Sequence, residues 1–356
     1  MPKSQRRVLL ALGWYDYRLH KGIEKYAQEH GWHLYSDYTR EKVIPWGWQG
    51  DGILAWLGAG DDLAEFVSAA RLAADHFLTR GFTHFCFYSD ANNWSYEERG
   101  HGFVKAITER GHDCAWLRWF ESPIYATGKQ EWQRKRKWLA AQMKQAAKPL
   151  AVFAANDQQA LDVLESCQSA GIKIPEEVAI LGTESYLLAP DAMQTPLSSV
   201  DTNLEILGYR GAELLDQLMA GGPAPAEPVR VPAAGVIVRK SSDILTIKHP
   251  GVARSLRHIW EHGHESICIK DLVSVSAMSR RGMHKAFMEH LGRTPGQELQ
   301  RVRIDHAKKL LTKTTQKIES VAHDSGYQSI NSFCVAFKRA TGMSAKQFRD
   351  RMSRQG

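Results

Sequence analysis

At 356 residues the chain exceeds one average domain and suits two or three. With 43% hydrophobic and 24% charged residues it is ordinary globular material, which excludes wholesale disorder, and no apolar run reaches membrane-spanning length. The formal charge of +7 is unevenly placed: residues 251–356 hold 19 Lys and Arg against 9 Asp and Glu, and the first 250 hold 27 against 30. A compact basic part beside a mildly acidic larger one points either to a polyanion partner, through phosphate neutralisation and counterion release, or to a solvated basic face.

Cys86, Cys114, Cys167, Cys268 and Cys334 stand far apart, with no C-x-x-C pair. That reads as reduced thiols in a cytoplasmic protein rather than a disulfide framework. The start MPKSQRRVLLALGW imitates a signal peptide, but its apolar run is short and no small-residue cleavage site follows, so a first buried strand is expected there.

From residue 7 to about 247, short apolar runs alternate with longer amphipathic ones, the signature of βαβ units and a parallel sheet. The expected strands are RVLLAL, GDGILAWL, HFCFYS, LAVFAAN and EVAILGTE. Helical patterns lie between them, and Gly31, Gly81, Gly111 and Gly171 each close one as a C-terminal cap. Ligands of open α/β sheets gather at the carboxyl ends of the strands. Here that row holds Tyr15, Asp16, Asp90, Asn156, Asp157 and Glu184, with Trp14, Trp56 and Trp94 nearby. Carboxylates and amides suit sugar hydroxyls, and aromatic rings suit the apolar sugar face. Any one Asp or Asn here also serves as a helix cap; jointly they favour a ligand cleft.

AGGPAPAEPVRVPAAG marks a boundary, and after one more apolar run the character changes at His249-Pro250-Gly251 to all helix. This divides the chain into residues 1–247 and 248–356. Seven helices are expected in the second part, with helix-turn-helix units at about 269–291 and 318–341. AFMEHLGRTPGQ (286–297) matches AFKRATGMSAKQ (336–347) at an offset of 50, so the unit is duplicated. A 17-residue helix, QELQRVRIDHAKKLLTK, joins the copies. Spanning about 25 Å, it can hold two recognition helices roughly one duplex turn, about 34 Å, apart.

Residues 252–353 resemble the DNA-binding domain of the AraC/XylS family of transcription regulators. The resemblance rests on the pattern I-x-x-V-A-x-x-x-G-Y-x-S-x-x-x-F-x-x-x-F-K-R-x-T-G-x-S-x-x-x-[FY]-R, from Ile318 to Arg349, and on RVRIDHAKKLL. It implies DNA contacts from Ser279, Arg280, Arg281, His284 and Lys285 in the first unit and from Ser329, Ile330, Asn331 and Ser332, with Val335, in the second. Arg and Lys donate to guanine and Asn pairs with adenine, whereas Ile330 and Val335 suit thymine methyls or a supporting role.

Residues 153–185 and 196–219 resemble the effector domain of the LacI/GalR family, itself like periplasmic sugar-binding proteins. This implies effector contacts at Asp157, at Glu184 where most members carry Asp, and at Arg99 in R-x-x-G-F. The expected fold is an α/β periplasmic-binding-protein-like sensor of two lobes with parallel sheets, followed by an all-α double helix-turn-helix domain. The resemblance also implies another strand and a loop where Ser68 runs into Ala69. An omitted segment is expected there, since losing a central strand would expose a sheet edge.

The implied function is a sugar-responsive activator that binds double-stranded operator DNA as a homodimer, with RNA polymerase as a partner and an aldose, a pentose such as xylose, as effector. No cofactor, catalytic residue, metal site or membrane partner is expected. The alternative is a DNA repair enzyme or other enzyme fused to an AraC-like module, but no cysteine has the neighbours of a nucleophile or metal motif. His258, His262 and His264 lack a completing ligand and read as surface histidines.

Overall fold

A computed structural model of the chain describes residues 5–12, 16–36, 48–56, 63–120, 128–185 and 193–354. A first lobe is built on a sheet of β1 (Arg7–Leu12), β2 (His33–Tyr35) and β3 (Gly52–Trp56) in the order β2-β1-β3, all parallel. The helices α1 (Tyr17–His30) and α6 (Leu204–Met219) cover one face of it, packing Leu19, Ile23 and Tyr26 against Val8, Leu10 and Leu12. Their close approach depends on two glycines. A Cβ at Gly22 would stand 1.9 Å from the Glu205 carbonyl oxygen, and one at Gly208 would stand 2.0 Å from that of Leu19.

The second lobe carries β4 (His84–Asp90), β5 (Cys114–Trp119), β6 (Leu150–Ala154), β7 (Val178–Thr183), β8 (Ser198–Asp201) and β9 (Gly235–Ile237), in the order β5-β4-β6-β7-β8-β9. Only β9 pairs antiparallel. Strands β6 and β7 are buried at every position, as a parallel sheet covered on both faces requires. One cover comprises α2 (Leu63–Thr79) and α3 (Trp94–Thr108), around Phe77, Phe87, Phe103 and Phe153. The other comprises α4 (Gly128–Gln145) and α5 (Asp157–Ser169), around Leu139, Met143, Val163 and Ile180.

All five expected strands form, and the four glycine caps adopt left-handed backbone, with φ of 67, 83, 79 and 72°. At the join between Ser68 and Ala69, α2 is one continuous helix. Its later half enters the core of the second lobe, among the described residues no strand lies between β3 and β4, and β3 is at the edge of its sheet, where Ile53 is 44% exposed.

The helical part consists of α7 (Pro250–His262), α8 (Ile269–Ser276), α9 (Arg280–Leu291), α10 (Pro295–Lys313), α11 (Ile318–Asp324), α12 (Ile330–Thr341) and α13 (Ala345–Arg354). The duplication is structural as well as sequential. Ser279 and Ser329 cap α9 and α12, and Gly292 and Gly342 close them at φ 65 and 77°. Phe287 and Phe337 fill equivalent core positions. Thr294 and Ser344 then begin the next helices, each exchanging hydrogen bonds with a Gln three residues on. Each unit has its own core, one around Leu256, Leu272 and Phe287 and one around Val321, Phe333 and Phe337. The connecting helix starts two residues earlier than expected, at Pro295, because Pro is favoured in a first turn after a Thr cap. Among the described residues no helix is long and apolar enough to cross a membrane.

Candidate functional site

The carboxyl ends of β1, β4, β6 and β7 converge between the lobes. Asp16 caps α1, its Oδ1 accepting from the Arg18 backbone N–H at 2.8 Å. The Arg18 guanidinium also donates to both carboxylate oxygens of Asp16, at 3.0 and 2.7 Å, and across the cleft to the Glu184 carbonyl oxygen. Glu184 and Ser185 both have positive φ, 89 and 53°, a costly backbone for two consecutive non-glycine residues. They are held by Glu184 N–H on the Val200 carbonyl (2.9 Å) and Ser185 N–H on the Ser199 hydroxyl (2.9 Å). Burial pushes the Glu184 carboxyl upward, opposed by Arg99, whose buried guanidinium lies 3.5 Å away and also donates to the Ala155 carbonyl.

Asn156 both caps α5, accepting from the Gln159 N–H at 2.9 Å, and donates from Nδ2 to the Tyr96 hydroxyl at 2.8 Å. Asp157 is 1% exposed, and its Oδ1 accepts from the Ser199 hydroxyl at 2.6 Å. A Cβ at Gly182 would stand 2.2 Å from that oxygen, so only glycine lets the carboxylate lie against β7. Asp90 lies 2.8 Å from the Lys135 ammonium, which also reaches Asp162 at 2.7 Å. Trp94 opens α3 and is 43% exposed. Tyr15 and Trp14 fall outside the described residues. The structure thus brings Asp16, Arg99, Asn156 and Glu184 together and places Asp90 nearby in a lysine pair. It buries Asp157 within the second lobe.

Arg18, Tyr96, Lys135 and Ser199 escaped the sequence reading. Lys135 sits in the run RKRK, which reads as a generic basic stretch, and only the packing of α4 against β4 turns it toward Asp90. Its neighbours are also engaged inside the lobe: Arg134 lies 5.0 Å from the Trp119 ring centroid, and Arg136 lies 4.5 Å from that of Trp132.

On the helical part, Arg280, Arg281, His284 and Lys285 are exposed along α9. So are Ile330, Asn331, Ser332 and Val335 along α12, Val335 at 72%. Ser279 and Ser329 are exposed too, but their hydroxyl oxygens accept the N–H groups of Gly282 and Ser332, so each has a capping role. Among the described residues no group of His, Cys, Asp and Glu could hold a metal; His262 instead pairs with Glu265 at 2.9 Å.

The two parts meet through α2 and the segment after β9. A cleft of about 1710 Å³ lies between them, lined by Asp75, Arg80, Trp260 and Arg301 among others. At its wall Arg80 stacks on Trp260, whose indole N–H donates to the buried Glu298 at 3.2 Å. Glu298 also meets Arg301 at 2.7 Å and Arg293 at 3.1 Å.

Residues 74–242 match the periplasmic binding protein-like domain, and residues 272–351 match a helix-turn-helix domain. The Xylose operon regulatory protein of Escherichia coli K12 is 24% identical over 374 residues, with 94% of each chain covered. That of Haemophilus influenzae is 26% identical over 288 residues, covering 80% of this chain and 73% of the relative. The solved structure titled "structure of xylose-binding transcription activator xylR" superposes with a TM-score of 0.58 at 22% identity, covering 98% of this chain and 99% of that one, and so supports the two-part fold. These relatives are named as regulators rather than as enzymes. The chain thus joins a periplasmic binding protein-like domain to a helix-turn-helix domain, and along most of its length it is similar to xylose operon regulatory proteins.

Proposed function

We propose that the protein is a cytoplasmic, sugar-responsive activator in which an aldose, a pentose of the xylose kind, binds between the lobes and changes how a homodimer engages operator DNA. Residues 1–247 are the sensor and residues 248–356 the DNA-binding part. The observation that carries the reading is the convergence of Asp16, Arg99, Asn156 and Glu184 between two lobes that share a chain with a duplicated, exposed, basic helix pair. Hydroxyl-rich ligands need paired donors and acceptors from both lobes to favour closure. A hundredfold preference of the sugar for one DNA-binding arrangement corresponds to about 2.7 kcal/mol of coupling.

On the DNA side, Arg281, His284 and Lys285 are the base readers of α9, with Arg280 at its start. Asn331 and Ser332 read from α12 beside the apolar Ile330 and Val335. RNA polymerase is the partner through which activation would act. The test is DNA retardation and footprinting with and without xylose, arabinose, ribose and glucose, alongside Glu184→Gln and Asp90→Asn. The expected result is a footprint altered by one pentose and insensitive to it in the variants, with basal DNA affinity retained. A footprint unmoved by every aldose would overturn the sensor reading.

A further inference from the structure

The two helix-turn-helix units have separate cores, so their mutual angle rests on α10, which they share, and on whatever bridges them. One side chain does this. Arg303, midway along α10, donates from Nε to the Gly263 carbonyl at 2.9 Å and from its terminal nitrogen to the carbonyls of Glu265 at 2.9 Å and Ile267 at 2.7 Å. These are carbonyls just beyond α7 on the chain that leads into α8, in the region where helix ends leave acceptors unpaired. The same guanidinium lies 5.6 Å from the ring centroid of Tyr327, in the turn between α11 and α12. Tyr327 in turn meets Phe333, a core residue of the second recognition helix, at 5.4 Å.

Gly326 closes the contact. At φ 79° it lies so near the first unit that a Cβ would stand 2.4 Å from the Glu265 carbonyl oxygen and 2.8 Å from Arg303 Nε. The turn of the second unit is therefore seated directly on the carbonyls that Arg303 gathers. A planar fork with five donors can hold three carbonyls and present a face to a ring at once, which an ammonium cannot.

We infer that Arg303 is a positioning residue for DNA recognition: it locks the second helix-turn-helix unit against the first, so that α9 and α12 engage DNA as one rigid body at a single half-site spacing. This rests on the DNA-binding reading but not on the sugar. Two linked modules gain affinity for a bipartite site only while their geometry matches it, and slack between them lowers the effective concentration of the second contact.

The experiment uses the full chain and duplexes that the wild-type protein selects from a randomised pool, together with derivatives carrying either half-site alone or one base pair added between the halves. Arg303→Gln and Arg303→Lys are compared with wild type. Both variants are expected to lose at least about tenfold in affinity for the bipartite duplex, keep wild-type affinity for the half-site read by α9, and show a smaller penalty than wild type for the added base pair. Affinities for bipartite and half-site duplexes that stay at wild-type values, or fall together with a lowered melting temperature, overturn the proposal in favour of a dispensable or purely structural contact. Rescue by Lys would show that charge alone suffices and would overturn the fork geometry. A wild-type protein that selects no duplex would instead count against DNA binding itself.

Discussion

Arg80, just after α2 in the periplasmic binding protein-like part, lies with its guanidinium carbon 4.6 Å from the ring centroid of Trp260 on α7 of the helical part. Its carbonyl oxygen accepts from both the N–H (2.9 Å) and the hydroxyl (3.0 Å) of Thr246, on the segment that joins the two parts. Burial lowers the guanidinium to about 10, so it remains charged at neutral pH and stacks as a desolvated cation. Because α2 packs along α3, which carries Tyr96 and Arg99, this stack stands between the candidate effector cleft and the helix-turn-helix units. Arg80→Ala should cost about 2 kcal/mol, the worth of a buried cation–π contact, and separate the unfolding of the two parts in a denaturant titration. One unchanged cooperative transition would rule this out.

Glu298 lies beneath that stack at 0% exposure. Burial alone would push its carboxyl up, but Arg301 and Arg293, with the Trp260 N–H, outweigh it and hold the group below its ordinary 4.5. A carboxylate depressed in the fold contributes stability above its unfolded value and loses that contribution as pH falls through the folded one. Glu298→Gln should therefore destabilise the helical part by about 3–5 kcal/mol at neutral pH, and the difference from wild type should shrink below about pH 4. Circular dichroism melts across that range measure both effects.

His76 provides a second and separate pH window. It is buried on α2, with Nε2 2.9 Å from the Ser242 hydroxyl, and burial, then Arg80 and Arg301, hold its imidazole well below 6.5. The fold keeps it neutral while the unfolded chain takes up a proton near 6.5, so its contribution is present above that value and lost as pH falls beneath it. Melting temperature should drop from about pH 7 to about pH 5, and His76→Gln should flatten that slope. A variant with the wild-type slope would assign the acid sensitivity elsewhere.

The first lobe depends on the contact of α1 with α6 at Gly22 and Gly208. Alanine is the better helix former by about 1 kcal/mol, so propensity alone predicts that Gly22→Ala and Gly208→Ala stabilise. The geometry predicts the reverse, since each added methyl would meet a carbonyl oxygen at about 2 Å. Each should cost about 1–3 kcal/mol, and the double variant less than the sum because one separation relieves both clashes. Differential scanning calorimetry of the three variants decides the sign.

Much of this was legible in the chain because it follows from local rules. Strands β1, β3, β4, β6 and β7 each contain a short apolar run, and Gly31, Gly81, Gly111 and Gly171 sit where left-handed backbone ends a helix. The strands β2, β5, β8 and β9 lie at sheet edges or next to them; β5 is open enough to carry Arg118, and β8 buries Ser198 and Ser199 with their hydroxyls hydrogen-bonded, so neither reads as an apolar run. At the candidate cleft, residue types at strand ends were readable, but their pairings were not. Lys135 reaches Asp90 from a helix 45 residues away, Ser199 takes an oxygen of Asp157, and Arg18 crosses to Glu184, each through folds of the chain with no local signal.

The division has a physical cause. Periodicity, capping residues and an offset of 50 are encoded within one or two turns of chain, so composition and spacing alone pointed to an α/β part with polar strand ends and a duplicated, basic helix-turn-helix part. The continuity of α2 through Ser68 and Ala69, the stack of Arg80 on Trp260, and the three carbonyls gathered by Arg303 were decided only by the packing. Such contacts join residues far apart in sequence, and their energy depends on burial and geometry that no short segment carries.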